Sequence, residues 1–395
     1  MNHKFVSTYV HFVQSDSAQF ERYLLARRED KATIKYPLKF SGSPLFYPRD
    51  EAVEELLGEI QKKDAALRES LKEIPSVAER EFMRACLVEE VIQTNEIEGV
   101  FSTRKDIYRI MDDVGSTKKL KVRSITNKYQ LLLSEGADEE IRTLEDIRKE
   151  YDQLMEDALA AEDKPDGQLF RKDVVSVTNG IEPIHNGLYP EERIQEALKV
   201  FLQVSLGDTP SIWERLFIAH YIFEFAHPFY DGNGRCGRYL MTRFASKELP
   251  LVVAFRLATA IGKRKSRYYK AFTQTQDVRN RSDLSTFVYP NLSLLSEEYD
   301  ALLDEVSLKK EQSRMLRSSL EGAGVLLNKD AILSYLADVT SYASFGVRIE
   351  DIAKRTGVSV ITVKRHLSDI ETKGWLIKEK VGFQTYFRLN ADAIG

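Results

Sequence analysis

The sequence predicts a mainly α-helical protein that carries a β-hairpin on its helical body and ends in a smaller module of a different kind. Three observations lead there. From DEAVEELLGEIQKKDAALRESL through AEREFMRACLVEEVIQTNEIEG the apolar residues recur three and four apart, the period of an amphipathic helix. The pattern breaks midway, at KDVVSVTNGIEPIHNGLYP (172–190). Val174, Val175 and Val177 there precede Asn179-Gly180, a second turn signal follows at Asn186-Gly187, and the stretch reads as a hairpin. Near the end, RIEDIAKRTGVSVITVKRHLSDIETKGWLIKE gives a helix with Ile349, Ile352 and Ala353, a turn at Gly357, and a helix capped by Ser359 with Val363, Leu367 and Ile370 inside. WLIKEKVGFQTYFRLN then alternates around Gly382 like two strands.

A chain of 395 residues has room for two or three domains. The helical pattern breaks at Gly322-Ala323-Gly324, which suggests a boundary and the division 1–125 (N-terminal helical region), 126–300 (helical core), 301–325 (linker) and 326–395 (terminal module). The two cysteines, Cys86 and Cys236, lie far apart and form neither a disulfide framework nor a CxxC metal site, so a reducing compartment is expected. MNHKFVSTYVHFVQSDSAQF lacks a continuous apolar segment, and no uncharged run approaches the ~20 residues of a membrane span. The expectation is a cytoplasmic protein without a membrane partner. A formal charge of -4 argues against nucleic-acid binding by the molecule as a whole and leaves room for one basic module.

SIWERLFIAHYIFEFA (211–226) is apolar almost all round, as a helix enclosed by other helices must be. HPFYDGNGRCGR (227–238) follows it. Glycine at three of the six positions from 232 to 237 frees the backbone to take positive φ and to approach a ligand closely. RCGRYLMTRFASKEL then restores helical periodicity, so the glycines precede a helix N-terminus, where unpaired N–H groups and the helix dipole favour an anion. Arg235 and Arg238 add fork-shaped contacts to phosphate oxygens. Asp231 is placed to hold a hard cation, and Mg2+ is the ordinary companion of a polyphosphate. His227 has the pKa range to take a proton from an attacking hydroxyl. Alone, each residue is ordinary: a capping histidine, a turn, an N-cap aspartate, solvated arginines. Their order, between one helix and the next, marks a site.

With His227, Pro228, Phe229, Asp231, Gly232, Asn233, Gly234, Arg235 and Arg238 all in place, the stretch resembles the HPFx(D/E)GNGRxxR signature of Fic-domain proteins. The resemblance covers roughly residues 80 to 290. His220 lies seven residues before His227 as in many Fic helices, and the hairpin falls where the family keeps its flap. It implies a Fic helical core and transfer of AMP from ATP to a protein hydroxyl, with release of pyrophosphate. On that resemblance His227 is the base and Asp231 the Mg2+ ligand. Gly232, Asn233 and Gly234 cradle the α- and β-phosphates, Arg235 and Arg238 clamp the β- and γ-phosphates, Gly237 belongs to the same ATP-binding set, and Phe229 is a core anchor. Tyr268 in KSRYYKAFTQTQ resembles an adenine-side tyrosine.

TNEIEG (94–99) resembles the (S/T)xxxE(G/N) inhibitory motif found N-terminal to many Fic domains. Thr94 and Glu98 are i, i+4 neighbours on one helix face, and Gly99 suits the C′ position that ends the helix. The resemblance implies that Glu98 pairs with Arg238 and takes the place of the γ-phosphate. Removal of AMP with Glu98 positioning water, transfer of another nucleotide, and a nucleotide-sensing DNA-binding regulator are the alternatives. Residues 326–395 resemble a winged helix-turn-helix, with Thr362, Lys364, Arg365 and His366 as outward candidates for DNA contacts. Nine Lys/Arg against six Asp/Glu from 347 to 395 make that module only mildly basic. The partners implied are ATP, a target protein, the chain itself as a substrate, DNA, and a second copy in a homo-oligomer.

Overall fold

A computed structural model describes residues 5–40, 42–112, 122–134, 140–178, 183–381 and 384–394, without the side chains of 177, 178 and 183–185. The protein is mainly helical, as expected, and its described strands form three antiparallel hairpins: β1 (Ile34–Phe40) with β2 (Ser43–Tyr47), β3 (Ser176–Thr178) with β4 (Pro183–Asn186), and β5 (Leu376–Val381) with β6 (Gln384–Leu389). The first was not anticipated. Ile34, Tyr36, Leu38 and Phe40 alternate with exposed residues along β1, but Pro37 within it demotes the run as a strand, and the register shift between Lys35 and Lys39 leaves no mark in the sequence. The β3–β4 hairpin is shorter than its sequence pattern. Val174 and Val175 precede β3, Asn179-Gly180 lie outside the described residues, and Asn186-Gly187 end β4 rather than turn the chain. Gly382 also lies outside them.

The helix Ile212–Ala226 is central, with Leu216 through Phe223 buried on every side. Helices Glu191–Leu206, Asn233–Glu248 and Ser285–Gly322 enclose it. The last runs for 38 residues, about 57 Å at the usual rise. Its Leu295, Tyr299 and Leu302 belong to the main core, and its Leu316 and Leu320 to a second core shared with the C-terminal module. Residues 301–325, expected as a linker, are therefore mostly the second half of this helix. Only the terminus was foreseen: the helix ends at Gly322, and Gly324 takes φ +85.

The C-terminal module consists of helices Ala331–Tyr342, Ile349–Thr356 and Val360–Thr372 with β5 and β6. Gly357 turns with φ +70, Ser359 caps the third helix, and Val363, Leu367 and Ile370 are buried as read. The module is docked, not tethered. Tyr108 stacks on Phe345 with centroids 4.9 Å apart, and the Tyr386 hydroxyl donates to Asp112.

At the other end, Arg27 ties the N-terminal helices to the start of the long helix. Its guanidinium donates to Asp283 (3.0 Å), Asp50 (2.9 Å) and the Ser285 hydroxyl (2.7 Å). Asp283 is fully buried. Breaking such a pair from one side strands the other charge, so Asp283→Ala should lose about 3–5 kcal/mol. Urea unfolding is the measurement, and an unchanged midpoint would show that the N-terminal helices are dispensable to the core.

Candidate functional site

The central helix stops at Ala226 because His227 turns left-handed, at φ 49 and ψ 63. Its N–H still donates to the Phe223 carbonyl (2.9 Å). Nδ1 lies 3.4 Å from the Glu224 carbonyl, and since a carbonyl only accepts, Nδ1 is the donor in this contact. The loop beyond is pinned from inside. Phe229 is buried and stacks on Tyr151 at 3.5 Å, while the Tyr151 hydroxyl donates to the Asp231 carbonyl (2.9 Å). The Asn233 side chain accepts from Phe229 N–H (2.9 Å) and donates to its carbonyl (2.8 Å). Gly232, at φ 77, begins the helix Asn233–Glu248, and a Cβ there would fall 2.5 Å from Met155 Cε. The dihedral favours glycine, and a side chain there would also have to displace the end of Met155.

Three charged side chains gather at this helix N-terminus. Arg235 is buried, donates to Asp231 Oδ2 at 3.1 Å, and has an Nε without a partner. Arg238 donates from Nε to the Thr94 hydroxyl (2.9 Å), and its NH2 group to the Thr94 carbonyl (3.0 Å) and Glu98 Oε1 (2.7 Å). A Cβ on Gly234 would meet Glu98 Oε1 at 2.2 Å, so the Glu98 carboxylate lies directly against the glycine loop. Burial pushes the Glu98 carboxyl up, but Arg238, then Arg235 and Lys265, outweigh it and hold the pKa below its usual range. For Arg238, burial opposes the charge, and Glu98 followed by Glu224 more than offsets that. Glu224 itself, on the central helix with Oε1 unpartnered, is pushed by burial up to about 8. Burial thus disfavours charge on Glu224, and Glu98 makes the direct ion pair with Arg238.

The helix that delivers Glu98, Ser76–Ile97, is registered along one face. Glu90, Thr94 and Glu98 follow one another at intervals of four. Glu90 is buried and accepts from Ala258 N–H (2.8 Å), Thr259 N–H (3.1 Å) and the Thr242 hydroxyl (3.3 Å). The helix closes in a Schellman motif: Gly99 at φ 73, Gly99 N–H on the Glu96 carbonyl (3.0 Å) and Val100 N–H on the Asn95 carbonyl (2.9 Å). Lys265 Nζ donates to the Ile97 carbonyl (2.7 Å). The i, i+4 pair, the glycine at C′ and the contact with Arg238 are all as the sequence suggests.

Residues 142–245 match the model of the Fic/DOC family. The chain carries a Fic domain. The matched span holds the β3–β4 hairpin, the central helix and the whole 227–238 loop, whereas Thr94 and Glu98 precede it. The fold is shared with a Fic family protein from Desulfovibrio desulfuricans G20: 18% identity over 84% of this chain and 96% of that one, TM-score 0.51. Fic-1 (residues 134–508) from C. elegans is 19% identical over 64% of this chain and 73% of its own, with a TM-score of 0.46. A Fic-domain-containing signaling protein from Bacteroides thetaiotaomicron VPI-5482 is 15% identical over 63% and 95%, with a TM-score of 0.47. Comparison with curated proteins gives no match.

Several of the expected site residues have structural partners of their own. Tyr268 is 4% exposed, its hydroxyl bonds His220 Nε2 (3.0 Å), its ring packs against Phe272 and Phe287, and it lies within electrostatic reach of Glu224, Arg238 and Glu98. Its neighbour Tyr269 is half-buried, under Lys265 Nζ at 5.7 Å, and burial followed by Glu98 pushes its phenol up to about 12. Tyr269 is the more exposed of two tyrosines beside the same charges. Gly237 serves packing and not the anion cradle, because a Cβ there would meet Glu224 Oε1 at 2.4 Å and Phe223 at 3.0 Å on the central helix. His366 is turned toward Asp330 Oδ2 at 2.9 Å, and Thr362 shares the cap with Ser359, while Lys364 and Arg365 are exposed. Sequence reading overlooked Tyr151, Glu224 and Arg171. Gly187, read as a turn signal, is a close-approach position, 3.0 Å from its Cβ site to His227 Cβ.

Asp231 is the acid of the loop, half-exposed, and among the described residues no group of three His, Cys, Asp or Glu could hold a metal ion. That donor set suits Mg2+, which takes one or two carboxylates and completes its shell with water and phosphate oxygens. The orphaned Arg235 Nε suits an anion beside it. Removing the Asn233 side chain should strand the buried Phe229 N–H and carbonyl, at about 1–3 kcal/mol for each group. Thermal unfolding of Asn233→Ala would reveal this, and an unshifted transition would mean that the aromatic stack alone holds the loop.

Proposed function

We propose that the Fic domain transfers AMP from ATP to a hydroxyl of a target protein, and that Glu98 holds the activity in check. The observation that carries this reading is a carboxylate of the chain itself, Glu98, seated on Gly234 and paired with a buried arginine at a helix N-terminus. Such a site is built for a larger anion.

In this reading the phosphates of ATP lie along Gly232 to Gly234, and Arg238 exchanges Glu98 for the γ-phosphate. His227 Nε2 takes the proton of the incoming hydroxyl. The hydroxyl oxygen bonds to the α-phosphorus while the bond from that phosphorus to the bridging oxygen breaks, and pyrophosphate leaves. Mg2+ held by Asp231 and phosphate oxygens would neutralise charge on the leaving group. The β3–β4 hairpin would receive the target segment as an added strand, which holds the hydroxyl in register through main-chain pairing. At the C-terminus, the turn at Gly357, the capped second helix and β5–β6 fit a winged helix-turn-helix. The exposed Lys364 and Arg365 would be its DNA contacts, and Ile361, 81% exposed, would lie beside them.

His227→Ala should lower transfer by about 10²–10⁴-fold while leaving nucleotide affinity nearly intact, because the imidazole acts on the hydroxyl and not on the phosphates. Radiolabel transfer from ATP beside a binding titration separates the two, and wild-type transfer in this variant would end the assignment.

Glu98 is a third exposed, so loss of its pair is worth less than the ~3–5 kcal/mol of a fully buried one. Glu98→Gly should still raise labelled-AMP incorporation about tenfold or more. Arg238→Ala should not mimic it, since that change removes the lock and the γ-phosphate ligand together. A Glu98→Gly protein no more active than wild type would make TNEIEG an ordinary helix end.

A further inference from the structure

Arg171 lies just before β3, is completely buried, and has no carboxylate partner among the described residues. Its donors go to carbonyls. Nε donates to the His227 carbonyl (2.7 Å), NH2 to those of Leu188 (2.9 Å) and Ala226 (3.3 Å), NH1 to that of Asp173, and its main-chain N–H to that of Pro228 (3.1 Å). Three consecutive acceptors, Ala226, His227 and Pro228, span the end of the central helix and the left-handed turn of His227. The other two, Asp173 and Leu188, lie just before β3 and just after β4, at the base of the two legs of the hairpin. A cation at a helix C-terminus is favoured by the dipole and by the unpaired last carbonyls, which explains how a guanidinium survives burial here. Gly187 completes the arrangement, because a Cβ there would meet Arg171 NH2 at 2.3 Å and His227 Cβ at 3.0 Å.

We propose that Arg171 is a positioning residue that fixes the backbone of His227 and both legs of the β3–β4 hairpin to one another, so that base and target-binding edge keep one geometry. The reasoning is geometric. His227 adopts φ 49 without being glycine, a conformation that persists only where surrounding contacts over-determine it, and one planar side chain supplies those contacts on both sides of the gap a target hydroxyl must enter. Arg171 bonds the start of the loop at His227 and Pro228 but none of its hydrogen bonds reaches Gly232 to Gly234, Arg235 or Arg238, so its effect falls on transfer and not on nucleotide binding. The catalytic half of this statement rests on the transferase reading above; the structural half does not.

The test uses the full chain carrying Glu98→Gly, with Arg171→Met, Arg171→Lys and Gly187→Ala compared. Three quantities are read: kcat for labelled AMP transfer at saturating ATP, affinity for a fluorescent ATP analogue, and amide exchange at Leu188, whose N–H bonds the Ala226 carbonyl (3.1 Å). A misplacement of about 1 Å in a base can cost about 10²-fold. Arg171→Met should therefore lose kcat by about that factor, keep nucleotide affinity within about threefold, and exchange the Leu188 amide at least about tenfold faster. Arg171→Lys keeps the charge but cannot bridge both legs, so it should resemble Arg171→Met. If Arg171→Met does not fold, Gly187→Ala, which keeps the guanidinium and only displaces it, carries the same expectation. Wild-type kcat in Arg171→Lys would overturn the proposal, as would a parallel loss of kcat and nucleotide affinity. Unaltered Leu188 exchange in every folded variant would overturn it even in a protein showing no transfer. Faster exchange without any transfer in the Glu98→Gly parent would uphold the clamp and remove the transferase reading instead.

Discussion

Arg238 is a guanidinium placed inside a helical core, and an unbalanced charge there would cost more than the surrounding packing could supply. Much of the nearby architecture follows from neutralising it. Glu224 lies close by on the central helix, but burial raises its pKa and disfavours its charge. The balancing charge must come from another element, and it comes from the last turn of Ser76–Ile97, where Glu98 meets Arg238 beside the hydroxyl and carbonyl of Thr94. For the last turn to arrive there, the helix must sit in one register and stop at one residue. Glu90 sets the register by accepting two N–H groups at the start of Leu257–Lys263, and the Schellman closure at Gly99 sets the stop.

The same helix has a second attachment at its other end. Arg84 pairs with Asp112, Asp112 accepts from Tyr386 in β6, and the helix packs along Ala331–Tyr342 of the C-terminal module. Its 22 residues cover about 33 Å, so one rigid element touches the C-terminal module and the glycine loop. The long helix Ser285–Gly322 joins the two cores in parallel. The C-terminal module is thus part of the frame in which Glu98 is held.

What the sequence disclosed and what it hid differ in a physical way. The loop from His227 to Arg238 was legible because its demands are local: positive φ at Gly232, closeness at Gly234, donors at a helix start. Glu98 was legible because four residues make a helical turn. Tyr268 and Tyr269 are adjacent on one helix, and which of them is enclosed and which stays partly exposed beside the charges depends on how Lys265–Gln276 is rotated in the core, which the pair of letters does not contain. Gly237 lay within a glycine-rich stretch and was credited with the stretch's chemistry, although its neighbours are on the central helix. Arg171 left no trace, because its partners are backbone carbonyls that any residue offers, gathered only by the fold. The β1–β2 hairpin was hidden by Pro37 and by a register shift.

The contacts that shape the 227–238 loop are not the contacts that meet an anion. Its backbone is held by the Phe229–Tyr151 stack, by the Asn233 amide and by the Arg171 guanidinium, none of which involves Asp231's carboxylate, Arg235 or Arg238. Glu98 meets this loop at Gly234 and Arg238, which the scaffold contacts do not involve, so the acid that faces the glycines and the groups that hold the backbone act on different atoms. A change at Glu98 therefore bears first on its ion pair with Arg238 and on the helix end that carries it, and only indirectly on the contacts that shape the backbone of the loop.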